Sequence, residues 1–221
     1  MLSEPQRGQN LLSAMTKATE LVDQLRPVIR DERVLAAIAS VQRERFVPAS
    51  ERHRAYENVA LPIACGQTIS QPLVVARMLE TLALRPQDRV LDVGTGSGYH
   101  AALLALLSDH VWTVERHAPL SQLARQTLAA LGIGNVTLIV GDGHEGLPSD
   151  APFDAINVAA ATGATVPEAL VEQLAEGGRL VAPVGSCEQH LILIERAGGQ
   201  LTHTALEAVR FVPLVRNSLE G

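Results

Sequence analysis

The sequence has few aromatic residues, few cysteines and no long apolar run, and each shortage excludes something. Aromatic side chains make up 3% of its 221 residues, so the core must be aliphatic. The two cysteines, Cys65 and Cys187, are too few for a disulfide framework or a four-thiolate metal site, and we expect no metal. No stretch approaches the roughly 20 apolar residues of a membrane span. Residues 10–24 mix apolar with charged side chains, unlike a secretory leader, so we expect a cytoplasmic protein.

The charge balance and the length limit the function further. A net charge of −6 argues against a protein that binds nucleic acid mainly by electrostatic attraction. A chain of this length with 47% apolar residues can bury a large core, which is typical of a globular protein. We expect a monomer without nucleic-acid or membrane partners.

Apolar spacing predicts two helices near the N-terminus, after a polar and loose segment of residues 1–9. Apolar residues recur at intervals of three and four from Asn10 to Leu25, as in an amphipathic helix. Asp31 can cap a second helix, whose apolar face would consist of Val34, Leu35, Ile38 and Val41. We interpret residues 1–54 as a helical cap, to which the periodicity assigns no chemistry.

Residues 55–72 follow neither a helical nor a strand period, although they contain several aliphatic residues. A loop of this length in a compact domain is usually functional or disordered, and the aliphatic content argues against disorder. A helix then begins near Pro72, because proline is tolerated in the first helical turn. Residues 55–72 are therefore the candidate active-site loop, in which we expect Cys65 to be a small buried filler.

From residue 89 onward, short aliphatic runs alternate with helical segments. This alternation predicts a parallel sheet with helices on both faces. Only Ala197 to Gln200 separates the last two runs, so the C-terminal edge should be an antiparallel hairpin. Residues 73–221 would form a Rossmann-like α/β core within a single domain of residues 1–221. The predicted strands are 89–93, 110–114, 136–140, 154–158, 178–183, 190–195 and one near 205–212, and the predicted helices are 98–107, 117–131 and 166–175.

A glycine-rich turn after the first of these strands is the strongest candidate for a ligand site. Gly94, Gly96 and Gly98 stand at alternate positions directly after Val93. This spacing differs from that of a dinucleotide fingerprint, and no Gly-Lys-Ser/Thr follows that would cradle a phosphate. A cofactor without phosphates needs glycine only for close approach, together with hydrogen bonds to its polar ends. We therefore predict that the turn binds S-adenosyl-L-methionine, with Asp92 or a water that it orders serving the ammonium group.

Acidic residues at the ends of the next two strands support this prediction. Glu115 ends the second strand, where a carboxylate can accept hydrogen bonds from both hydroxyls of a ribose. Asp142, between two glycines, ends the third strand and suits the amine of an adenine ring. Each has an ordinary alternative, because Glu115 could be a first-turn acid of the next helix and Asp142 a common turn residue. Their occurrence at successive strand ends favours the cofactor site.

Longer stretches of the sequence resemble the protein-L-isoaspartate O-methyltransferases. The most specific of them is Gly66-Gln67-Thr68-Ile69-Ser70-Gln71-Pro72, since the glycine turn is common to many methyltransferases. The resemblance implies a class I methyltransferase sheet, mostly parallel with an antiparallel C-terminal edge, and an N-terminal helical cap. It extends from about residue 30 to residue 215, and its other segments are 60–63, 90–99, 141–143, 151–156, 174–185 and 210–215.

The family resemblance also implies an activity. Its members methylate the α-carboxylate that isoaspartyl residues expose in aged proteins, and the ester closes to a succinimide that can reopen to aspartate. A carboxylate is already ionised at neutral pH, so the reaction needs alignment and exclusion of water rather than a strong base. The expected partners are proteins and peptides that contain isoaspartate.

The resemblance further implies the site residues. Ser70 would be catalytic, with its hydroxyl orienting the substrate carboxylate, or it only caps the helix that begins at Gln71 or Pro72. Ile69 and Ser70 would bind the substrate together with Val212, Pro213, Leu214 and Val215, unless these last four are edge-strand packing. The implied cofactor-binding residues are Thr68, Ile69, Ser70, Asp92, Gly94, Thr95, Gly96, Ser97, Gly98, Glu115, Arg116, Asp142 and Gly143.

Some positions depart from the family pattern, and other functions remain open. Cys65, His144 and Asn157 differ from the residues usual in the family, and these differences leave the predicted cofactor site intact. An enzyme that methylates amino groups of bases often carries Asn/Asp-Pro-Pro-aromatic, whereas residues 157–160 read Asn-Val-Ala-Ala. The remaining rivals are a carboxyl O-methyltransferase for one dedicated peptide or small molecule, and a non-catalytic binding module. Such a module would be expected to lose Glu115, Asp142 or the Thr68-Ile69-Ser70 segment.

Overall fold

The computed structural model describes residues 4–216, with the side chains of residues 15–216. Helix α1 spans Glu4–Leu25 and helix α2 spans Glu32–Ser40. Asp31 caps α2 as predicted, because its carboxylate accepts a hydrogen bond from the Arg33 N–H at 2.9 Å. The two helices bury their apolar faces in one cluster with a face of the central sheet.

The candidate active-site loop contains short regular elements. Leu61–Pro62 (β1) pairs antiparallel with Thr68–Ile69 (β2) across a 3₁₀ turn at Ala64–Gly66. Helix α3, Pro72–Leu82, follows directly. The register places Leu61 opposite Ile69, and both side chains are buried, so the hairpin is fixed to the core by apolar contacts.

A seven-stranded sheet with the order β5-β4-β3-β6-β7-β8-β9 forms the rest of the chain. Strands β3 to β7 are parallel, and β8 runs antiparallel to both of its neighbours. This confirms the α/β prediction of a mostly parallel sheet with an antiparallel C-terminal edge. The strands are β3 (Arg89–Val93), β4 (His110–Glu115), β5 (Val136–Val140), β6 (Phe153–Val158), β7 (Leu174–Val184), β8 (Gln189–Ala197) and β9 (Gln200–Val209). The helices between them are α4 (Tyr99–Leu107), α5 (Ala118–Ala130) and α6 (Glu168–Glu172).

The two faces of the sheet bury different sets of residues because successive side chains of a strand point to opposite faces. Val90 of β3 packs with the N-terminal helices, α3 and α4. Leu91 belongs to a second cluster with Leu170 of α6. Asp92, two positions after Val90, therefore points toward the face that carries the N-terminal helices.

The structure corrects four predictions about local structure. Residues 4–9, predicted to be loose, belong to α1, since Glu and Gln are good helix formers; residues 1–3 lie outside the described residues. Cys65, predicted to be buried, is exposed with φ 58°, because it lies in the turn between β1 and β2. The helix predicted at 166–175 is limited to Glu168–Glu172 because β7 already begins at Leu174. The last strand is Gln200–Val209 rather than 205–212, since pairing with β8 starts directly after the turn.

In the part of the chain that the structure describes, no helix has both the length and the apolar character needed to cross a bilayer.

Candidate active site

The glycine turn lies against the C-terminal end of β3 in a left-handed backbone conformation. Gly94, Gly96 and Gly98 have φ values of 95°, 53° and 87°, which residues with a Cβ rarely adopt. A Cβ at Gly98 would also lie 3.0 Å from the Cβ of Ala124 on α5. The Gly94 N–H donates to the carbonyl of Val114 at 2.9 Å and so ties the turn to β4. The backbone conformation therefore explains glycine at alternate positions.

The carboxylate of Glu115 fastens the turn to the end of β4. Its Oε2 accepts a hydrogen bond from the Gly96 N–H at 2.8 Å, and its Oε1 accepts one from the His117 N–H at 2.9 Å. The residue is only 5% exposed, yet it lines the cleft beside the turn. Each carboxylate oxygen has two lone pairs. Both oxygens can therefore still accept hydrogen bonds from the hydroxyl groups of a ligand.

Asp92 lies beneath the turn in a row of polar side chains across three strands, here called the polar rung. It is fully buried and pairs in register with Thr113 of β4 and Asn157 of β6. Its Oδ2 accepts from Thr113 Oγ1 at 2.7 Å and its Oδ1 from Asn157 Nδ2 at 2.8 Å. Thr113 Oγ1 in turn lies 2.6 Å from Oγ1 of Thr95 in the turn. A link from Asp92 to an ammonium group would run through Thr95 or a water, and the predicted role stays a prediction.

Burial gives Asp92 an unusual titration. It disfavours the charged form and raises the pKa of this carboxyl to about 6, although the hydrogen bonds from Asn157 and Thr113 oppose the shift. The pKa of an unfolded aspartate is about 3.9, so between about pH 4 and pH 6 the folded state keeps a proton that the unfolded state loses. The contribution of Asp92 to the free energy of unfolding therefore falls as the pH rises through this window.

Three neighbouring cavities meet at Thr68 and Ala159, which line all of them. We call them the strand-end cleft, the inner pocket and the outer groove. The strand-end cleft is lined among others by Gly94, Gly96, Glu115, Arg116 and Gly143. The inner pocket lies between the turn and the loop, with Ile69, Ser70, Thr95 and Ser97 in its wall. The outer groove runs from Ser70 and Gln71 to Arg210 and Phe211.

Three predicted cofactor residues do not line these cavities. Asp92 lies in the polar rung, and Gly98 is the N-cap of α4. The Oδ1 atom of Asp142 accepts a hydrogen bond from the His144 N–H at 2.9 Å and lies 3.2 Å from its Nδ1. Gly143, which does line the strand-end cleft, has no space for a side chain.

The segment predicted to bind substrate forms a wall between two of the cavities. Val212 lines both the strand-end cleft and the outer groove, whereas Pro213, Leu214 and Val215 line the cleft. Ala161, just after β6, holds this segment through two backbone hydrogen bonds, which join it to Val212 at 2.8 Å and Leu214 at 2.7 Å. The segment that is predicted to bind substrate therefore lines the same cleft as Glu115 and Gly143.

Ser70 lies where the inner pocket meets the outer groove. Helix α3 begins at Pro72 with Gln71 as its N-cap, and the Leu73 N–H in its first turn donates to Oδ1 of Asn58 at 3.0 Å rather than to Ser70. Among the described residues, the Ser70 hydroxyl has no hydrogen-bond partner. The capping alternative therefore receives no support, and the hydroxyl is available to a ligand.

The first residues of α4 add polar groups to the inner pocket that sequence reasoning missed. Tyr99 and His100 both line the pocket, and in the described structure Tyr99 Oη and His100 Nε2 are buried without a hydrogen-bond partner. Burial lowers the pKa of His100 to about 4, so its imidazole is neutral at neutral pH. Both residues stand in an apolar helical run, where the sequence carries no sign that they border a cavity.

Comparisons with known proteins agree on one family. The sequence model of the family described as protein-L-isoaspartate(D-aspartate) O-methyltransferase matches residues 16–219. The protein-L-isoaspartate O-methyltransferase of Koribacter versatilis is 53% identical over 206 residues, 92% of each chain. That of Aeromonas salmonicida is 55% identical over 192 residues, which are 87% of this chain and 93% of its own. A Plasmodium falciparum structure of this description, in complex with S-adenosyl-L-homocysteine, has a TM-score of 0.79 at 29% identity and covers 90% of this chain and 98% of its own.

Proposed function

Because the chain belongs to the protein-L-isoaspartate(D-aspartate) O-methyltransferase family, we propose that it methylates the α-carboxylate of L-isoaspartyl residues with S-adenosyl-L-methionine. The ester initiates repair of the damaged backbone through a succinimide. Relatives named for this activity are more than half identical to the chain over nearly their whole length. They do not favour the alternative of a carboxyl O-methyltransferase dedicated to one peptide or small molecule.

The residues around the glycine turn fit this cofactor. The turn has no side chains at Gly94 and Gly96, so a ligand can approach its backbone closely, and Glu115 presents acceptor oxygens for two ribose hydroxyls. A Cβ at Gly143 would lie 2.6 Å from Val93 Cγ1 and 3.1 Å from Leu214 Cδ1, so only glycine lets this part of the cleft wall pack as it does. When bound, S-adenosyl-L-methionine supplies a methyl group activated by a sulfonium. We assign to its binding also Arg116 and Asp142 near the cleft, and Thr68, Ile69, Ser70, Thr95 and Ser97 at the inner pocket.

The single observation that carries the acceptor side of the proposal is the position of Ser70. Ser70 borders the inner pocket on one side and the outer groove on the other. Its hydroxyl has no hydrogen-bond partner among the described residues. The inner pocket adjoins the glycine turn, and the outer groove is open to a peptide. Ser70 therefore stands between the proposed cofactor and the proposed substrate.

The chain's own residues then act by orientation rather than by acid–base chemistry. The acceptor carboxylate is ionised at neutral pH and needs no base to become a nucleophile. The Ser70 hydroxyl donates a hydrogen bond to one carboxylate oxygen and so directs the other toward the cofactor. The loop of residues 55–72 and the segment 212–215 cover the reacting groups and limit access of water.

Two synthetic peptides test the function directly. They are identical except that one contains isoaspartate and the other aspartate, and each is incubated with the protein and methyl-labelled S-adenosyl-L-methionine. We expect a base-labile methyl ester on the isoaspartyl peptide alone. Equal labelling of both peptides, or labelling of neither by a protein that binds the cofactor, would overturn the proposal.

The Ser70→Ala variant should reduce kcat by about 10- to 100-fold, the effect of losing one hydrogen bond to a charged group.

We further propose that the protein acts as a monomer in the cytoplasm. Both cysteines, Cys65 and Cys187, are unpaired and exposed, which suits a reducing compartment. The proposed reaction needs neither a nucleic acid nor a membrane. Light scattering on the purified protein should give a mass near the 23.6 kDa of one chain, and a multiple of it would contradict the proposal.

A further inference from the structure

Arg43 is a buried arginine without an acidic partner. It is 0% exposed in the 3₁₀ turn Arg43–Phe46, and its guanidinium lies 4.7 Å from the centre of the Tyr99 ring. Among the described residues no carboxylate forms an ion pair with it, and its Nη1 has no hydrogen-bond partner. The carboxylate of neighbouring Glu44 instead accepts a hydrogen bond from Tyr56. Burying a charge without a counter-ion lowers the stability of the folded state, so the structure does not gain stability from an ion pair at this position.

The hydrogen bonds of Arg43 connect the two ends of the active-site loop. Its Nε donates to the carbonyl of Ala55 at 2.8 Å, and its Nη2 donates to the carbonyl of Ser70 at 2.8 Å. Ala55 is the first residue of the loop, and Ser70 lies near its end. One side chain thus joins the start of the loop to the segment just before α3.

A second buried arginine shows what an ordinary structural role looks like in this chain. Arg179 is 9% exposed and forms an ion pair with Asp88 at 2.8 Å. It also donates to the carbonyl of Ala83 at 2.8 Å. Its charge is thus compensated, and none of its partners lines the three cavities. Arg43 differs from it in both respects.

We infer that Arg43 is a positioning residue for methyl transfer, which clamps both ends of loop 55–72 and thereby places the Ser70 hydroxyl. The inference rests on the proposed function, in which that hydroxyl orients the acceptor carboxylate. The planar guanidinium donates in two fixed directions from Nε and Nη2. A lysine ammonium keeps the charge but cannot reproduce this fork, so Arg43→Lys is the conservative variant that tests the clamp.

A double-mutant cycle with Ser70→Ala measures whether Arg43 acts through Ser70. At saturating cofactor and isoaspartyl peptide, Arg43→Lys should lower kcat by about 10- to 100-fold, the effect of one charge-assisted hydrogen bond. In the Ser70→Ala background the same change should lower kcat by less than about threefold, because the hydroxyl to be positioned is already absent. Arg179→Lys is the matched control and should lower Tm while leaving kcat within about threefold of wild type.

Hydrogen–deuterium exchange tests the clamp without turnover. Amides of residues 55–72 should exchange faster in Arg43→Lys than in Arg179→Lys, and Arg43→Gln replaces the lysine variant if that protein does not fold. Equal effects of Arg43→Lys in the wild-type and Ser70→Ala backgrounds, or unchanged loop exchange, would overturn the inference. An isoaspartyl peptide left unmethylated by the wild type would refute the proposed function instead, while the exchange data would still decide the clamp.

Discussion

Replacing Glu115 by glutamine should separate cofactor binding from the stability of the glycine turn. Glutamine keeps the size of the side chain and one acceptor oxygen, but it loses the charge and presents an NH₂ group in place of the second oxygen. In the structure both oxygens accept backbone hydrogen bonds, from Gly96 at 2.8 Å and from His117 at 2.9 Å. One of these N–H groups must therefore lose its acceptor in the variant.

The magnitudes follow from these contacts. Both N–H groups are only partly buried, so the free energy of unfolding should fall by about 1 kcal/mol, the low end of the cost of an unsatisfied buried group. A hydrogen bond to a charged group contributes about 1.5–3 kcal/mol, and the loss of one to a ribose hydroxyl should raise Kd by about 10- to 150-fold. The effect on Kd requires that Glu115 touches the ligand, whereas the effect on stability does not.

Calorimetric titration with S-adenosyl-L-homocysteine and urea unfolding measure the two effects separately. Glu176→Gln is the matched control, because Glu176 accepts backbone hydrogen bonds from Gly198 and Gly199 in the β8–β9 turn, outside the three cavities. It should leave Kd within about twofold of wild type. A Kd for Glu115→Gln that also stays within about twofold would refute the assignment of Glu115 to the cofactor.

Three further predictions address the polar rung, the cleft wall and the outer groove. Asp92→Asn should gain about 2 kcal/mol more in free energy of unfolding over wild type at pH 7 than at pH 4, because the pKa of the folded carboxyl is about 6. The same difference at both pH values in urea unfolding would contradict this. Gly143→Ala places a Cβ 2.6 Å from Val93 Cγ1 and should raise the calorimetric Kd for S-adenosyl-L-homocysteine. The control variant Gly134→Ala, whose Cβ has no atom within 4 Å, should leave this Kd unchanged. Equal Kd values for the two variants would contradict the close packing of the cleft wall at Gly143. Arg210 is the only charged residue among the described residues that line the outer groove. Arg210→Gln should therefore raise KM for the isoaspartyl peptide more at low salt than at high salt. An equal change of KM at both salt concentrations in steady-state kinetics would show that Arg210 does not attract the peptide.

Features that depend on chain-local chemistry could be predicted from the sequence. The spacing of Gly94, Gly96 and Gly98 reflects backbone angles that each of these residues must adopt, so the turn can be predicted from the sequence alone. The same holds for Asp31 as a helix cap and for Gly198-Gly199 as a hairpin turn. The alternation of short strands and helices predicts the parallel part of the sheet, and the short link between the last two strands predicts its antiparallel edge.

Features that depend on packing between distant segments could not be predicted. Arg43 stands in a run of charged residues that is typical of a solvated surface, and only the fold brings it to Ala55 and Ser70. Asp92 adjoins the glycine turn in sequence, but only the cross-strand register brings its carboxylate to Thr113 and Asn157. Cys65 is predicted to be a small buried filler because methyl transfer needs no thiolate, yet the β1–β2 turn exposes it.

The specificity of the protein for isoaspartate is measured by the ratio of kcat/KM for the isoaspartyl peptide to that for its aspartyl counterpart. We expect a ratio of at least about 1,000, because a site that hydrogen-bonds one carboxylate strongly rejects a substrate that presents it elsewhere. The isoaspartyl peptide should also convert partly to the aspartyl form during continued turnover. Comparable kcat/KM values for the two peptides would contradict the proposed specificity for isoaspartate.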